Sequence, residues 1–350
     1  MAKIKLLELV NKIEDGQSFS HKMIVTVEKQ AEVKALETKF PYLITGTSLL
    51  KMEPDNTPNL WNPFLKKRGL SALTGSSDLG KSSFLRQLAI AITLKKKTFL
   101  GHDLNVRFGR VVYFVTEENA ESVSGLLAKS LPYTNPGVLS NMSFIFNAEN
   151  PIQCIEEQLA HTSTDAVIID CFSDIFDGHM NDIISVRNYL NSLDKLSQKY
   201  DTQIILLHHT GKRTENISPS KNNVIGSQGF EAKMRLVMEL RKESDSIRNL
   251  WFTKGNYLSE EIKKNALRLA FSERQEFSLL GTTILTTQSN NKFNEIKDQM
   301  VETLKELIKS KMSQDKMRDE LEKKYGKDAP SKGTLNKWIK EIKKDSQSNK

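Results

Sequence analysis

The chain has 350 residues, 38% hydrophobic and 27% charged, which places it with ordinary soluble proteins and is long enough for one large α/β domain with something small beside it. Its formal charge of +8 is compatible either with a polyanionic partner or with lysine used for solubility. No apolar run reaches the roughly 18 residues of a membrane span, the polar start Met1-Ala-Lys-Ile-Lys5 lacks a secretory apolar core, and Cys154 and Cys171 show no metal-ligand spacing, so a cytoplasmic chain with reduced thiols and no membrane is expected.

In chain order, residues 1–57 open with Leu6, Leu7, Leu9, Val10 and Ile13 on or near one helical face. This leader reads equally as an oligomer arm or partner-binding segment and as a piece packed on its own domain. The turn-rich Pro54-Asp-Asn-Thr-Pro58 ends it. Over residues 58–288 short apolar runs alternate with longer helical patterns, which predicts a mostly parallel twisted sheet covered by helices. The runs are Leu70–Leu73, Val111–Val115, Phe144–Phe146, Ala166–Ile169 and Ile204–Leu207. Leu236–Leu240, Leu250–Phe252, Leu267–Phe271 and Phe277–Leu280 lie closer together and predict antiparallel hairpins at one edge.

The first run feeds Gly75, Ser76, Ser77, Asp78, Leu79, Gly80, Lys81, Ser82 and Ser83, which match the pattern G-x-x-x-x-G-K followed by Ser or Thr. Phe84, Leu85, Leu88, Ala89 and Ile92 continue at helical spacing, so the loop has the strand and the helix that it needs. The glycines let backbone N–H groups curl round a phosphate, and the helix beginning near Lys81 turns its positive dipole end to the same anion. Lys81 is expected to reach the β and γ phosphates of ATP, and Ser82 to offer its hydroxyl to Mg²⁺.

The following strands end in polar groups, where ligands collect in such sheets. Glu117, in Thr116-Glu117-Glu118, can orient an attacking water, although two acids would also suit the start of a helix. Asp170 closes Asp165-Ala-Val-Ile-Ile-Asp170 and is expected to hold a water of the Mg²⁺ shell; Asp174 and Asp177 are read as solvated. The next run enters His208-His209-Thr-Gly-Lys212. His209, the outer imidazole, is expected to hydrogen-bond in the ATP state and to move the loop behind it when that bond is lost. That loop holds Lys212, Arg213 and Lys221, a basic segment able to grip a phosphodiester backbone or simply to be solvated.

Beyond Gln288-Ser-Asn-Asn-Lys292 the composition shifts to Lys- and Glu-rich helix over residues 292–350. Ile296, Met300, Leu304, Leu307 and Ile308 give one apolar face; Met317, Leu321 and Tyr325 give a second; Ser331 can cap a third with Leu335, Trp338, Ile339 and Ile342. The pattern fits a helix-turn-helix or winged-helix-like DNA-binding domain presenting Lys332, Lys337 and Lys340, and it fits a solvated helical bundle as well.

The phosphate loop, Thr116-Glu117, Asp170, His208-His209-Thr-Gly-Lys212, Gly226-Ser227 with Arg235 eight residues on, and Thr253-Lys254-Gly-Asn256-Tyr257 occur in a recognisable order. Over roughly residues 60–260 the chain resembles the hexameric replicative helicases of the plasmid RepA type, which are RecA-fold P-loop ATPases. The resemblance implies a RecA-like core in a homo-oligomeric, hexameric ring with each ATP between subunits. It implies that Glu117 activates water, Asp170 serves Mg²⁺ and His209 senses the phosphate. It also implies Arg235 as an arginine finger and Lys254 as a second cation reaching the neighbour's nucleotide; an exposed strand-edge arginine is the plain alternative for Arg235. Ile225 stands where the family often has Arg, and Asn256 where related bacterial helicases have Arg.

The expected function is an ATP-dependent DNA-binding motor of a mobile element, a replicative helicase translocating on single-stranded DNA, with residues 1–57 as candidate contact for a protein partner. The alternatives are a DNA-bound ATPase acting as recombination mediator, loader or regulator without unwinding, and a non-catalytic DNA-binding initiator.

Overall fold

A computed structural model describes residues 33–40, 43–51, 59–131, 136–146, 148–211, 214, 217–226, 228–284, 299–310, 312–326 and 329–348. The stretch from Leu6 to Ile13, the turn Pro54–Pro58, Lys212, Arg213, Ser227, the segment 288–292 and Ile296 lie outside these residues. Contacts divide the chain into residues 1–57 and 58–350. In the first unit residues 33–39 and Gly46–Lys51 are helical, and the Glu37 carboxylate accepts from Thr45 N at 2.8 Å and Thr45 Oγ1 at 2.9 Å.

The second unit carries thirteen described strands. They are β1 Asn59–Trp61, β2 Leu65–Lys66, β3 Gly69–Gly75, β4 Thr98–Phe99, β5 His102–Asp103, β6 Val111–Val115 and β7 Met142–Phe146. After these come β8 Ala166–Asp170, β9 Gln203–His209, β10 Leu236–Lys242, β11 Ile247–Gly255, β12 Asn265–Phe271 and β13 Phe277–Ile284. β1 with β2, and β4 with β5, form two small antiparallel sheets; the other nine form one sheet in the order β13-β12-β11-β10-β3-β9-β8-β6-β7. From β10 to β7 the pairings are parallel, and from β10 to β13 antiparallel. The expected hairpins therefore occupy one edge, with one correction. β10 pairs parallel with β3 and belongs to the parallel part, because an apolar run carries no information about strand direction.

Every residue of β3, β6 and β8 is buried, as parallel strands covered on both faces must be. Side chains alternate between two cores. Leu70, Ala72, Val112, Phe114, Val167, Ile169, Ile204 and Leu206 face the helix Ile183–Tyr200 and its neighbours. Leu73, Tyr113, Val115, Ile168, Ile205 and Leu207 face the helix Lys81–Thr93. That helix buries Phe84, Leu85, Leu88, Ala89 and Ile92 completely, each large side chain contributing about 1.5–3 kcal/mol, so the phosphate loop is clamped between a buried strand and a buried helix. Near the C-terminus, helical residues 299–309, Gln314–Tyr325 and Lys332–Ser348 share a separate small core of Leu304, Met317, Leu321, Leu335 and Ile339.

Candidate functional site

Strand register explains why distant residues meet. β3 sets Gly75 beside His209, and β6 sets Val115 beside Asp170. The phosphate loop, Glu117, Asp170 and His209 consequently share the carboxyl rim of the sheet. There a cleft of about 580 Å³ is lined by residues 77–83 with Arg86, Glu117, Glu118, His209, Phe271 and Gln275, a size suited to a nucleotide.

The loop's glycines are required by its shape. Gly80 has φ 86°, and a Cβ there would lie 2.8 Å from Phe271 Cζ; at Gly75, φ 156°, a Cβ would lie 2.6 Å from the Leu240 carbonyl oxygen. Lys81 is buried and donates from Nζ to the Ser76 carbonyl at 2.7 Å. Burial lowers its pKa, opposed by the nearby carboxylates of Asp170 and Glu117.

Asp170 is 5% exposed. Tyr113 Oη donates to its Oδ2 at 2.9 Å, while Oδ1 is buried with no hydrogen-bond partner among the described residues. Burial pushes the carboxyl up, against the Ser82 and Tyr113 hydroxyls and Arg86. An orphaned carboxylate oxygen close to the Ser82 hydroxyl is a hard-oxygen donor set of the kind Mg²⁺ takes, so the residues present fit that ion. The Tyr113 hydroxyl itself is driven well up, by burial first and then by Asp170.

The two adjacent acids differ in their partners. Glu118 pairs with Arg86 at 3.1 Å, the guanidinium also reaching Ser83 Oγ at 3.4 Å. Glu117 is half exposed; its Oε1 lies 3.5 Å from His209 Nε2 and accepts from Cys171 Sγ at 3.4 Å. Burial holds the Cys171 thiol up at about 12. Asp174, read from the sequence as solvated, is exposed but accepts from Thr116 Oγ1 at 2.7 Å, because the loop after β8 curls back towards the tip of β6. Asp177 is exposed.

The two imidazoles also separate. His208 is buried between Phe172 and Phe230, its Nε2 2.9 Å from the Ile225 carbonyl, and burial lowers its pKa to about 4. His209 faces the cleft. The loop behind it returns to the rim: Ile225 N donates to the His209 carbonyl at 3.0 Å, and Thr210 bridges to Val224. Glu239 on β10 accepts from Ser220 N at 2.9 Å and from Asn223 Nδ2 at 3.2 Å, and Arg241 donates to Glu239 at 2.6 Å and to the Thr214 carbonyl at 3.1 Å.

Other expected residues lie away from this rim. Arg235, at the start of β10, is exposed with its side chain against Gly69, at the opposite end of β3 from the phosphate loop. Lys254 pairs in register with Val237 and donates to the Glu231 carbonyl at 2.7 Å, with the Glu231 carboxylate at 2.9 Å. Lys221 lies 3.5 Å from Glu231, Lys332 donates to Asp315 at 3.2 Å, and Lys337 and Lys340 are exposed.

Arg86, Tyr113, Gln275, Glu239 and Arg241 were not among the expected site residues. Arg86 carried a signal, being a charge among the apolar positions Phe84, Leu85 and Leu88. Gln275 carried none: it comes from the β12–β13 turn, where its Oε1 accepts from Ser83 Oγ at 3.0 Å. Among the described residues no helix is long and apolar enough to cross a membrane.

A family model described as an AAA domain matches residues 37–215. Among solved structures, the ATPase domain of a helicase is similar with a TM-score of 0.50 at 16% identity, over 71% of this chain and 98% of that one, a likeness of fold. A search of curated protein sequences finds no match.

Proposed function

The chain belongs to the AAA domain family, with a RecA-like P-loop ATPase fold, and from that premise we propose that it hydrolyses ATP to drive a motor on DNA. One observation carries the reading: Lys81, Ser82, Asp170 and Glu117 come from three separate segments to one rim, while Glu118 is engaged by Arg86. Backbone N–H groups of residues 75–81 and the Lys81 ammonium bind the β and γ phosphates. Ser82 and Asp170 would hold Mg²⁺, which supplies charge neutralisation to the phosphates when bound. Tyr113 keeps the Asp170 carboxylate oriented. The Glu117 carboxylate aligns the attacking water and takes its proton. His209 relays the state of the site to the loop hydrogen-bonded to it.

The His208-His209 and Lys254-Gly-Asn256-Tyr257 signatures support the narrower reading, a RepA-type replicative helicase of a mobile element moving along single-stranded DNA. In that reading the chain works as a homo-oligomeric ring, Lys212, Arg213 and Lys221 contact the strand, and the helices 299–348 with Lys332, Lys337 and Lys340 add DNA affinity. Residues 1–57 then serve a protein partner.

Steady-state ATP turnover tests the core of this. Glu117→Gln is expected to lose at least about 100-fold in rate while still binding ATP, and Lys81→Ala to lose binding, turnover or both. Full activity in either removes its residue from the mechanism. Strand displacement on forked DNA then decides the narrower reading: ATP hydrolysis without duplex opening identifies a DNA-bound regulator.

A further inference from the structure

Three side chains that the sequence keeps far apart meet at the strand tips: Glu117 beyond β6, Cys171 directly after β8, and His209 at the end of β9. One ligand atom from each lies within 4.8 Å of the other two. We propose that Glu117, Cys171 and His209 form a site for a thiophilic divalent cation of the zinc class, whose binding stops ATP turnover.

The geometry sets the argument. With bonds of about 2.3 Å to sulfur, about 2.0–2.1 Å to imidazole nitrogen and about 2.0–2.2 Å to carboxylate oxygen, a tetrahedral zinc separates its ligands by about 3.4–3.6 Å. Cys171 Sγ and Glu117 Oε1 lie 3.4 Å apart, and His209 Nε2 and the same oxygen 3.5 Å apart. Two edges of the tetrahedron are therefore already at length, and the third closes with a small adjustment of partly exposed side chains. The three ligands rise from adjacent strands of one sheet, which limits the ordering cost.

Donor chemistry separates this site from that of the nucleotide's own ion. Thiolate and imidazole favour zinc over Mg²⁺, whereas Ser82 and Asp170 offer only oxygen. Binding releases the thiol proton to solvent and leaves one thiolate and one carboxylate to balance the dication. Its consequence for turnover rests on the reading of Glu117 as the group that aligns water: a carboxylate oxygen bonded to zinc is withdrawn from that role. The binding itself does not rest on that reading.

Cobalt substitution tests the two parts separately. The untagged, reduced, nucleotide-free full chain titrated with Co²⁺ is expected to develop thiolate-to-cobalt charge-transfer absorption with tetrahedral visible bands. These persist in Cys154→Ser, the other thiol of the chain, and vanish in Cys171→Ser, while His209→Ala weakens Co²⁺ binding at least about tenfold. Absence of the bands in the wild type, or their survival in Cys171→Ser, overturns the site. In the second arm, micromolar Zn²⁺ lowers turnover of the wild type with Mg²⁺-ATP at least about tenfold and that of Cys171→Ser by much less; equal fractional inhibition of both overturns the regulatory claim. Bands in a chain without any ATPase activity would leave the site standing and remove the hydrolytic reading, and turnover without bands would do the reverse.

Discussion

Asp170 is asked to be an anion in a place where an anion is costly. Burial raises its pKa, so the folded chain holds the proton more tightly than the unfolded chain does. The stability this gives is present in full below the ordinary carboxylate range and is lost as pH climbs through the raised value, which leaves the ionised acid a destabilising group at neutral pH when no cation faces it. Asp170→Asn keeps an acceptor for the Tyr113 hydroxyl and removes the charge. The nucleotide-free variant is accordingly expected to have a higher Tm than the wild type at neutral pH and a flatter Tm between mildly acidic and neutral pH, with ATP turnover reduced to the level of Lys81→Ala. Thermal scans across pH check the first two and a turnover assay the third; a lower Tm at neutral pH would show that the acid is stabilised by something other than the ion it would hold. Such trade of stability for a working site is common. Asp170 is legible in the chain because an apolar run that ends in an acid is a local pattern. The separation of Glu117 from Glu118 is not legible, since it depends on Arg86, 32 residues upstream of Glu118, and the contact between Glu117 and Cys171 spans 54 residues.

At the scale of elements, the loop after β9 hangs from β10 as well as from its own strand. Glu239, 2% exposed, gathers Ser220 N, the Asn223 amide and the Arg241 guanidinium, and Arg241 continues to the Thr214 and Ile217 carbonyls. β10 also lies against the phosphate loop, with Thr74 Oγ1 donating to the Met238 carbonyl at 2.9 Å. A buried acid is therefore the fixed point between the nucleotide rim and the segment proposed to touch DNA. Removing it leaves the Arg241 charge and two donors without their acceptor, which costs about 3 kcal/mol, the low end for a broken buried pair because Arg241 keeps carbonyl partners. Glu239→Ala is expected to show that loss in urea unfolding, faster proteolysis within residues 211–226, and a larger fall in DNA-stimulated than in basal ATP turnover; Glu239→Gln recovers part of each. Equal falls in both activities would mean that Glu239 is structural alone. Two charges at i and i+2 in an otherwise apolar strand are a sequence signal for a same-face polar pair. The parallel direction of β10 left no such signal.

For the whole molecule, the position of Arg235 is the informative fact. Its backbone N–H bonds the Leu70 carbonyl at 2.8 Å, at the amino end of β3, while the phosphate loop begins at the carboxyl end. The strand between them, Gly69–Gly75, spans about 20 Å at roughly 3.3 Å per residue. No arginine rotamer crosses that distance to its own nucleotide, so if Arg235 stabilises the transferring phosphoryl group, the site it serves belongs to another subunit. Lys254 sits at the same end and would have to leave Glu231 to accompany it. A finger supplied in this way is worth about 10³–10⁵ in rate, so Arg235→Ala is expected to assemble and bind ATP yet turn over little. The decisive measurement mixes it with Lys81→Ala. Each parent is nearly inactive, one for want of the finger and the other for want of a working phosphate loop. In a mixed assembly some interfaces join an intact loop to an intact Arg235, so the mixture turns over ATP faster than the sum of the parents measured alone. Turnover that stays at that sum while sizing shows mixed oligomers would confine Arg235 to the role of an exposed strand-edge cation.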